Sequence, residues 1–233
     1  MTTTTKPPLR SDVRRLAAWL VGLTLLGWGL GVLVLHVFGH FSHAEIDRPI
    51  NHWIRHHKVG TVTAVLGRVS PLGSAVVVLA VVVAAGAWLA WRRHRAALVT
   101  LVLAYGGGTA IAFVVKLAVG KGRSDGPGGL GGVTQLGFPS GHSTLAAAVY
   151  GTMAVLLFLA ASGAPTRTGR WLRVAAGALV ALVVVIGLAR VYLGQHDPTD
   201  VLAGWLLGGL WAAAVSGRRR GRPSAPCSGC WAA

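Results

Sequence analysis

The chain has 233 residues, of which 53% are hydrophobic and 12% charged, about half the charged fraction of an ordinary soluble domain. Its 22 Lys and Arg against 6 Asp and Glu give a formal net charge of +16. The apolar residues gather in runs close to the roughly 20 residues that cross a hydrocarbon core, which argues against a soluble globular fold.

Six such runs are read in chain order, at about 16–38, 74–91, 96–117, 142–161, 172–190 and 200–216. They predict an all-α integral membrane bundle of six transmembrane helices over residues 16–217. A basic N-terminal tail (1–15) precedes it and a basic C-terminal tail (218–233) follows. The first run follows basic residues as a secretory signal would, but it exceeds the roughly 7–15 residues of a signal core and no small-residue cleavage site follows it. It is read as a membrane helix.

With the N-terminus inside, Lys6, Arg10, Arg14, Arg15, Arg92, Arg93, Arg95, Arg167, Arg170, Arg173, Arg218, Arg219, Arg220 and Arg222 all fall on the cytoplasmic side. These are 14 of the 22 basic residues, in short segments beside helix ends, as the positive-inside rule expects. The charge is therefore topological, and a nucleic-acid groove, in which basic residues would track phosphates, is not expected. The same orientation puts residues 39–73, 118–141 and 191–199 outside.

The segment around residues 36–57 carries His36, His40, His43, His52, His56 and His57. The 36/40 and 52/56 pairs have the i, i+4 spacing that can place two imidazoles on one helical face. No cysteine and few carboxylates accompany them, so a solvated or membrane-surface segment is expected in place of a metal site.

Further along, KLAVGKGR places Lys116 seven positions before Arg123. On an unbroken helix that spacing returns to nearly the same face, but Gly120 and Gly122 leave a turn as the alternative. The glycine-rich SDGPGGLGG (124–132) reads as a flexible connection.

Next comes FPSGHSTLAAAVYG (138–151), an apolar run that opens on a serine, a glycine and a histidine. Ser140 is a favoured N-cap residue, and the first turn it caps has unpaired backbone N–H groups that make an anion site. Gly141 would let an oxyanion approach its N–H, and His142 could give a proton to a leaving oxygen. An ordinary cap with an interfacial histidine remains the plain alternative.

The last cluster, ARVYLGQHDPTDVLAGWLLG, sets Arg190, His196 and Asp200 between two membrane runs. Asp197 and Pro198 suit an N-cap and a first helical residue. Asp200, one turn beyond His196, could accept an imidazole N–H, which fixes the tautomer and leaves the other ring nitrogen to attack. An isolated ion pair would be costly at a membrane boundary. In the tail, Cys227 and Cys230 form a single C-x-x-C without a second pair, read as reduced thiols in a disordered terminus.

In order, K-x6-R, PSGH and R-x5-H-x3-D resemble the three-part signature of the type-2 phosphatidic acid phosphatase family, membrane histidine phosphatases related to vanadium haloperoxidases. IDRPINHWIRHH and SPLGS are similar to that family's external segment, so the resemblance covers nearly all of residues 16–216. It implies His196 as nucleophile, Asp200 as its orienting partner and His142 as proton donor to the leaving oxygen. It implies Lys116, Arg123, Ser140, Gly141 and Arg190 as phosphoryl-binding residues.

The implied activity is metal-independent, cofactor-free hydrolysis of a lipid phosphate or pyrophosphate, a polyprenyl pyrophosphate slightly before phosphatidate, at the outer side of the plasma membrane. Ser124 stands where the family usually has proline, and Ala189 where it usually has serine. A lipid-phosphate binder or transporter would use the same basic pocket without needing a His–Asp pair and a second histidine. A haloperoxidase would share the anion pocket in a soluble protein.

Overall fold

The computed structural model describes residues 43–121 and 136–217. The run at 16–38, both tails with Cys227 and Cys230, the glycine-rich connection and Arg123 lie outside the described residues. The described chain is helical, without a strand. Its elements are α1 (His43–His56), α2 (Gly60–Val69), a 3-10 turn (Ser70–Gly73), α3 (Ala75–Trp91), α4 (Arg95–Val119), α5 (Gly141–Ala161), α6 (Thr166–Tyr192) and α7 (Pro198–Gly217).

Four of these, α4 to α7, are long and apolar enough to cross a membrane, and α2 with α3 makes a fifth if that pair, bent by 58°, counts as one span. The expected helices from residue 74 onward are all present within a few residues. The largest difference is α6, which starts at Thr166 instead of near 172 because hydropathy marks only the part that crosses hydrocarbon. Its first turns carry Arg167, Arg170 and Arg173, whose stems can lie along apolar surface while the charges reach the interface. The segment 39–73, expected only as an external connection, contains α1, α2 and the 3-10 turn.

α5 is the central helix, packed by α7, α6 and α4. Residues Ser143 to Tyr150 are all buried, so this part of the helix is enclosed on every side, as an apolar segment without an amphipathic face should be, while Phe158 nearer its end is exposed. Large apolar side chains such as Val76, Val83, Trp91, Phe113 and Leu188 remain exposed around the outside. For a membrane bundle that surface faces lipid, whereas on a soluble protein it would be an extensive aggregation patch.

Helices in lipid gain no hydrophobic driving force from touching each other, so close backbone packing has to hold them together. Gly204 and Gly208, one turn apart on α7, allow this. A Cβ at Gly204 would meet the Ser140 carbonyl oxygen and the Ser143 Cβ, each at 2.9 Å, and one at Gly208 would overlap the Thr144 carbonyl. Trp211 fits over Gly107 and donates its indole N–H to the Leu103 carbonyl at 2.9 Å, and Trp205 fits over Gly187 with its N–H on the Val183 carbonyl at 3.2 Å. Each indole thus buries its ring without stranding its donor. The tight α5–α7 contact fixes the position of α7's first turn against the start of α5.

Candidate active site

The α5 N-terminus has the expected cap. Ser140 is fully buried, and its hydroxyl oxygen accepts from the Ser143 N–H at 3.4 Å. Its own N–H donates to the Asp200 carbonyl at 3.0 Å, which joins the PSGH segment to the first turn of α7. Lys116, on the last turn of α4, passes beside Gly141: a Cβ there would lie 3.9 Å from the Lys116 Cε. The Lys116 ammonium donates to the Leu136 carbonyl.

α4 ends at Val119, and Gly120 adopts a left-handed conformation (φ 62°) with its N–H on the Lys116 carbonyl. Such a C-cap favours glycine because a side chain strains it. The continuous helix that the spacing left open for Lys116 and Arg123 is therefore excluded, because α4 ends before Arg123, which itself lies outside the described residues.

Arg190, on the last turn of α6, is buried and donates from Nη1 to the Ser70 hydroxyl at 3.1 Å. Its carbonyl accepts from the N–H groups of Gln195 and His196 at 3.0 and 3.3 Å, closing the 190–196 turn. Gly194 makes that turn possible with a φ of 75°. The 3-10 turn carrying Ser70 is pinned by the Tyr150 hydroxyl, which donates to the Leu72 carbonyl at 2.7 Å. Gly73 lets it approach α5 closely, since a Cβ there would come within 3.2 Å of the His142 Cβ.

Two adjoining cavities follow from this packing. One, of about 400 Å³, is lined by His142, Arg190, Ser70, Ser74 and Thr63. The other, of about 360 Å³, is lined by His196, Asp197, Asn51, Arg55 and Lys58. Leu193 is common to both linings. The two histidines thus line different cavities that meet at Leu193.

His196 and Asp200 are both buried, with 3.5 Å between Nδ1 and Oδ2. The pair foreseen from the spacing is present, at a separation longer than a well-formed hydrogen bond. The same Oδ2 accepts from the Asp197 N–H at 3.2 Å, the reach-back half of a capping box.

The other half is supplied from elsewhere. Asp197's side chain accepts from Asn51 at 2.9 Å and from the Lys121 ammonium at 2.9 Å. The Thr199 N–H, a donor that an N-cap side chain would ordinarily satisfy, instead goes to Asp47 of α1 at 3.0 Å, and the Thr199 hydroxyl goes to the second Asp47 oxygen at 2.6 Å. Lys121 completes the arrangement with a 2.8 Å bond to Asp200 Oδ1.

Burial, the largest influence on Asp47, raises its pKa despite the opposing hydrogen bonds from Thr199. For Lys121, burial acts to lower the pKa, but the hydrogen bonds to Asp200 and Asp197 and their charges outweigh it, and the pKa is raised.

Asp47, Asn51, Ser70 and Lys121 were not singled out from the sequence. Asp47 and Asn51 are one turn apart in the segment read mainly for its histidines, and that spacing was their only signal. The His52 and His56 rings do lie 4.4 Å apart, centroid to centroid. Among the described residues no three His, Cys, Asp or Glu side chains gather as metal ligands.

A bundle of helices long and apolar enough to cross a membrane, with a capped helix start, a buried arginine and a His–Asp pair at one end, is that of an integral membrane protein with a polar site at the edge of its apolar layer. The sequence model of the PAP2 superfamily matches residues 97–222, and the chain belongs to that superfamily. It is similar to phosphatidylglycerophosphatase B of Bacillus subtilis, with 40% identity over 85 residues, 34% of this chain and 37% of that one. It is also similar to decaprenylphosphoryl-5-phosphoribose phosphatase of Mycobacterium tuberculosis, with 36% identity over 120 residues, 48% of this chain and 58% of that one.

The matched part is therefore less than two thirds of either curated relative. A crystal structure of a transmembrane PAP2-type phosphatidylglycerolphosphate phosphatase from Bacillus subtilis superposes with a TM-score of 0.65 at 26% identity, covering 86% of this chain and 95% of that one.

Proposed function

We propose that the protein is a membrane phosphatase that hydrolyses a lipid phosphate or pyrophosphate through a phosphohistidine intermediate. The observation that carries this reading is the Ser140 N–H to Asp200 carbonyl bond. It joins the anion-binding start of α5 to the helix turn that holds the His–Asp pair.

In this mechanism Asp200 orients Nδ1 of His196, and Nε2 attacks phosphorus. The phosphorus–oxygen bond to the lipid breaks as His142 gives its proton to the departing oxygen. Water, losing a proton to His142, then attacks the phosphohistidine and releases inorganic phosphate. Lys116, Arg123, Arg190, Ser140 and the Gly141 N–H hold the phosphoryl oxygens, where charge accumulates in the transition state. No metal takes part in these steps.

The relatives' names, a phosphatidylglycerophosphatase and a decaprenylphosphoryl-5-phosphoribose phosphatase, support a lipid phosphate as substrate. A site at helix ends also suits a headgroup phosphate whose tail stays in hydrocarbon. The basic residues on the opposite loops favour a site on the outer face of the plasma membrane. Between polyprenyl pyrophosphate and phosphatidate, the first is slightly preferred.

The deciding experiment measures phosphate released from phosphatidate and from a polyprenyl pyrophosphate in vesicles, with the wild type and His196→Ala. Release that disappears in a folded His196→Ala protein supports the reading. Release that persists removes His196 as nucleophile, and lipid binding without release by the wild type would favour the non-catalytic binder.

A further inference from the structure

Lys121 lies outside the phosphoryl-binding set yet makes two of the shortest polar contacts at the start of α7. Its ammonium is 2.8 Å from Asp200 Oδ1 and 2.9 Å from Asp197 Oδ2. Its backbone is fixed on both sides. The left-handed Gly120 turns the chain off α4, and the Lys121 carbonyl accepts from the Gly137 N–H at 2.7 Å, just before the PSGH segment.

The Asp200 carboxylate is thereby divided. One oxygen is occupied by Lys121, and the other is left for the Asp197 N–H at 3.2 Å and His196 Nδ1 at 3.5 Å. Rotating the carboxylate would break the Lys121 bond, so the cation fixes which oxygen faces the imidazole.

The charge matters as much as the geometry. Beside His196 stand two carboxylates, Asp200 on α7 and the adjacent Asp197, with Asp47 of α1 bonded to Thr199, the residue before Asp200, while Arg55 and Lys58 line the same cavity as His196 and Asp197. Arg190 and Lys116 belong to the phosphoryl end. Lys121 is the cation bonded directly to two of those carboxylates. Without it, neighbouring negative charges would favour the imidazolium, which has no lone pair for phosphorus.

We propose that Lys121 is a positioning residue for the His196–Asp200 pair: it locks the Asp200 carboxylate in place, and its charge keeps His196 in the neutral form that attacks. This rests on the phosphohistidine reading above. The function is distinct from that of Lys116, which passes beside Gly141 at the anion site.

The test compares the pH dependence of kcat/KM for wild type, Lys121→Met, Lys121→Arg and Asp197→Asn on one lipid phosphate in vesicles, with thermal unfolding of each in detergent. Loss of a positive charge beside the pair stabilises the imidazolium, so the acidic limb of Lys121→Met should move upward by about one pH unit. The plateau should fall at least tenfold, mainly in kcat.

Lys121→Arg should keep the wild-type limb, because it keeps the charge. Asp197→Asn removes a negative charge and should move the limb downward, which supplies a reading even if Lys121→Met does not fold. An unmoved limb in folded Lys121→Met, however low its plateau, overturns the proposal, as does an unmoved limb in Asp197→Asn or an upward shift in Lys121→Arg equal to that of methionine. Full activity in His196→Ala would instead overturn the functional reading beneath it.

Discussion

Replacing Asp47 with alanine should loosen the first turn of α7 from a position on a different helix. Asp47 accepts from both the N–H and the hydroxyl of Thr199, at 3.0 and 2.6 Å, and a hydrogen bond to a charged acceptor contributes about 1.5–3 kcal/mol. The two bonds do not simply add, because burying the carboxylate opposes its ionisation and raises its pKa. The expected net loss resembles that of a good N-cap, about 2 kcal/mol, or roughly a thirtyfold rise in the population of the opened turn.

Hydrogen exchange of the amides at 199–204 in detergent should accelerate by that factor while those in the middle of α5 stay protected. The kcat/KM should fall as well, since Asp200 is the next residue along. Asp47→Asn should lose about half as much, keeping one acceptor. Its sign with pH is also fixed: a raised folded-state pKa gives a contribution that is full below the usual 3.8 and fades as pH rises through the raised value. Wild-type stability should therefore drop with rising pH just above 3.8, and Asp47→Asn should lose that slope. Wild-type exchange at 199–204 in Asp47→Ala would refute the cap.

His142→Ala should lower kcat by about 10²–10⁴-fold on a lipid phosphate, the usual range for removing a general acid, and by much less on p-nitrophenyl phosphate, whose leaving group needs little protonation. An equal loss on both substrates would rule out the acid role. Orthovanadate, able to adopt the five-coordinate geometry of phosphoryl transfer, should compete with substrate, and EDTA should leave the rate unchanged. Activity lost to EDTA and restored by a divalent metal would replace this mechanism with a metal-assisted one. With Cys227 and Cys230 replaced, a cysteine at His56 should react with an impermeant thiol reagent added outside intact cells and one at Arg92 should not. The reverse pattern would invert the bundle.

Periodicity and apolar length were enough to read α3 to α7, because a helix that crosses lipid must carry a long apolar run whatever it packs against. The same reasoning was blind to α1 and α2, which are short and border the bundle, so that part of the bent α2–α3 span was read as a connection. At the site, Ser140, His142, Arg190, His196 and Asp200 stood out because each occupies a helix terminus, where a polar residue beside an apolar run is conspicuous. Asp47 and Lys121 did not, because their importance lies in partners 152 and 79 positions away in the chain. No local spacing encodes those contacts. The helical alternative for Lys116 and Arg123 failed for a local reason, since Gly120 ends α4 between them.

These long-range contacts explain how charge is tolerated at the edge of an apolar bundle. An isolated carboxylate there would cost several kcal/mol. Asp47, Asp197 and Asp200 are each engaged by donors from another element: Asp47 by Thr199, Asp197 by Asn51 and Lys121, Asp200 by Lys121. The first turn of α7 is consequently held from three directions, by α1, by the residue following α4's cap, and by the start of α5 through Ser140. A His–Asp pair carried on that turn is set by the whole bundle end, whereas a pair on a free helix terminus would fray with it. The glycines at 204 and 208 extend the same constraint into the membrane, since any side chain there would push α7 off α5 and draw Asp200 away from the Ser140 N–H. Packing in the apolar layer and alignment of the polar site are thus one structural requirement, met along a single helix.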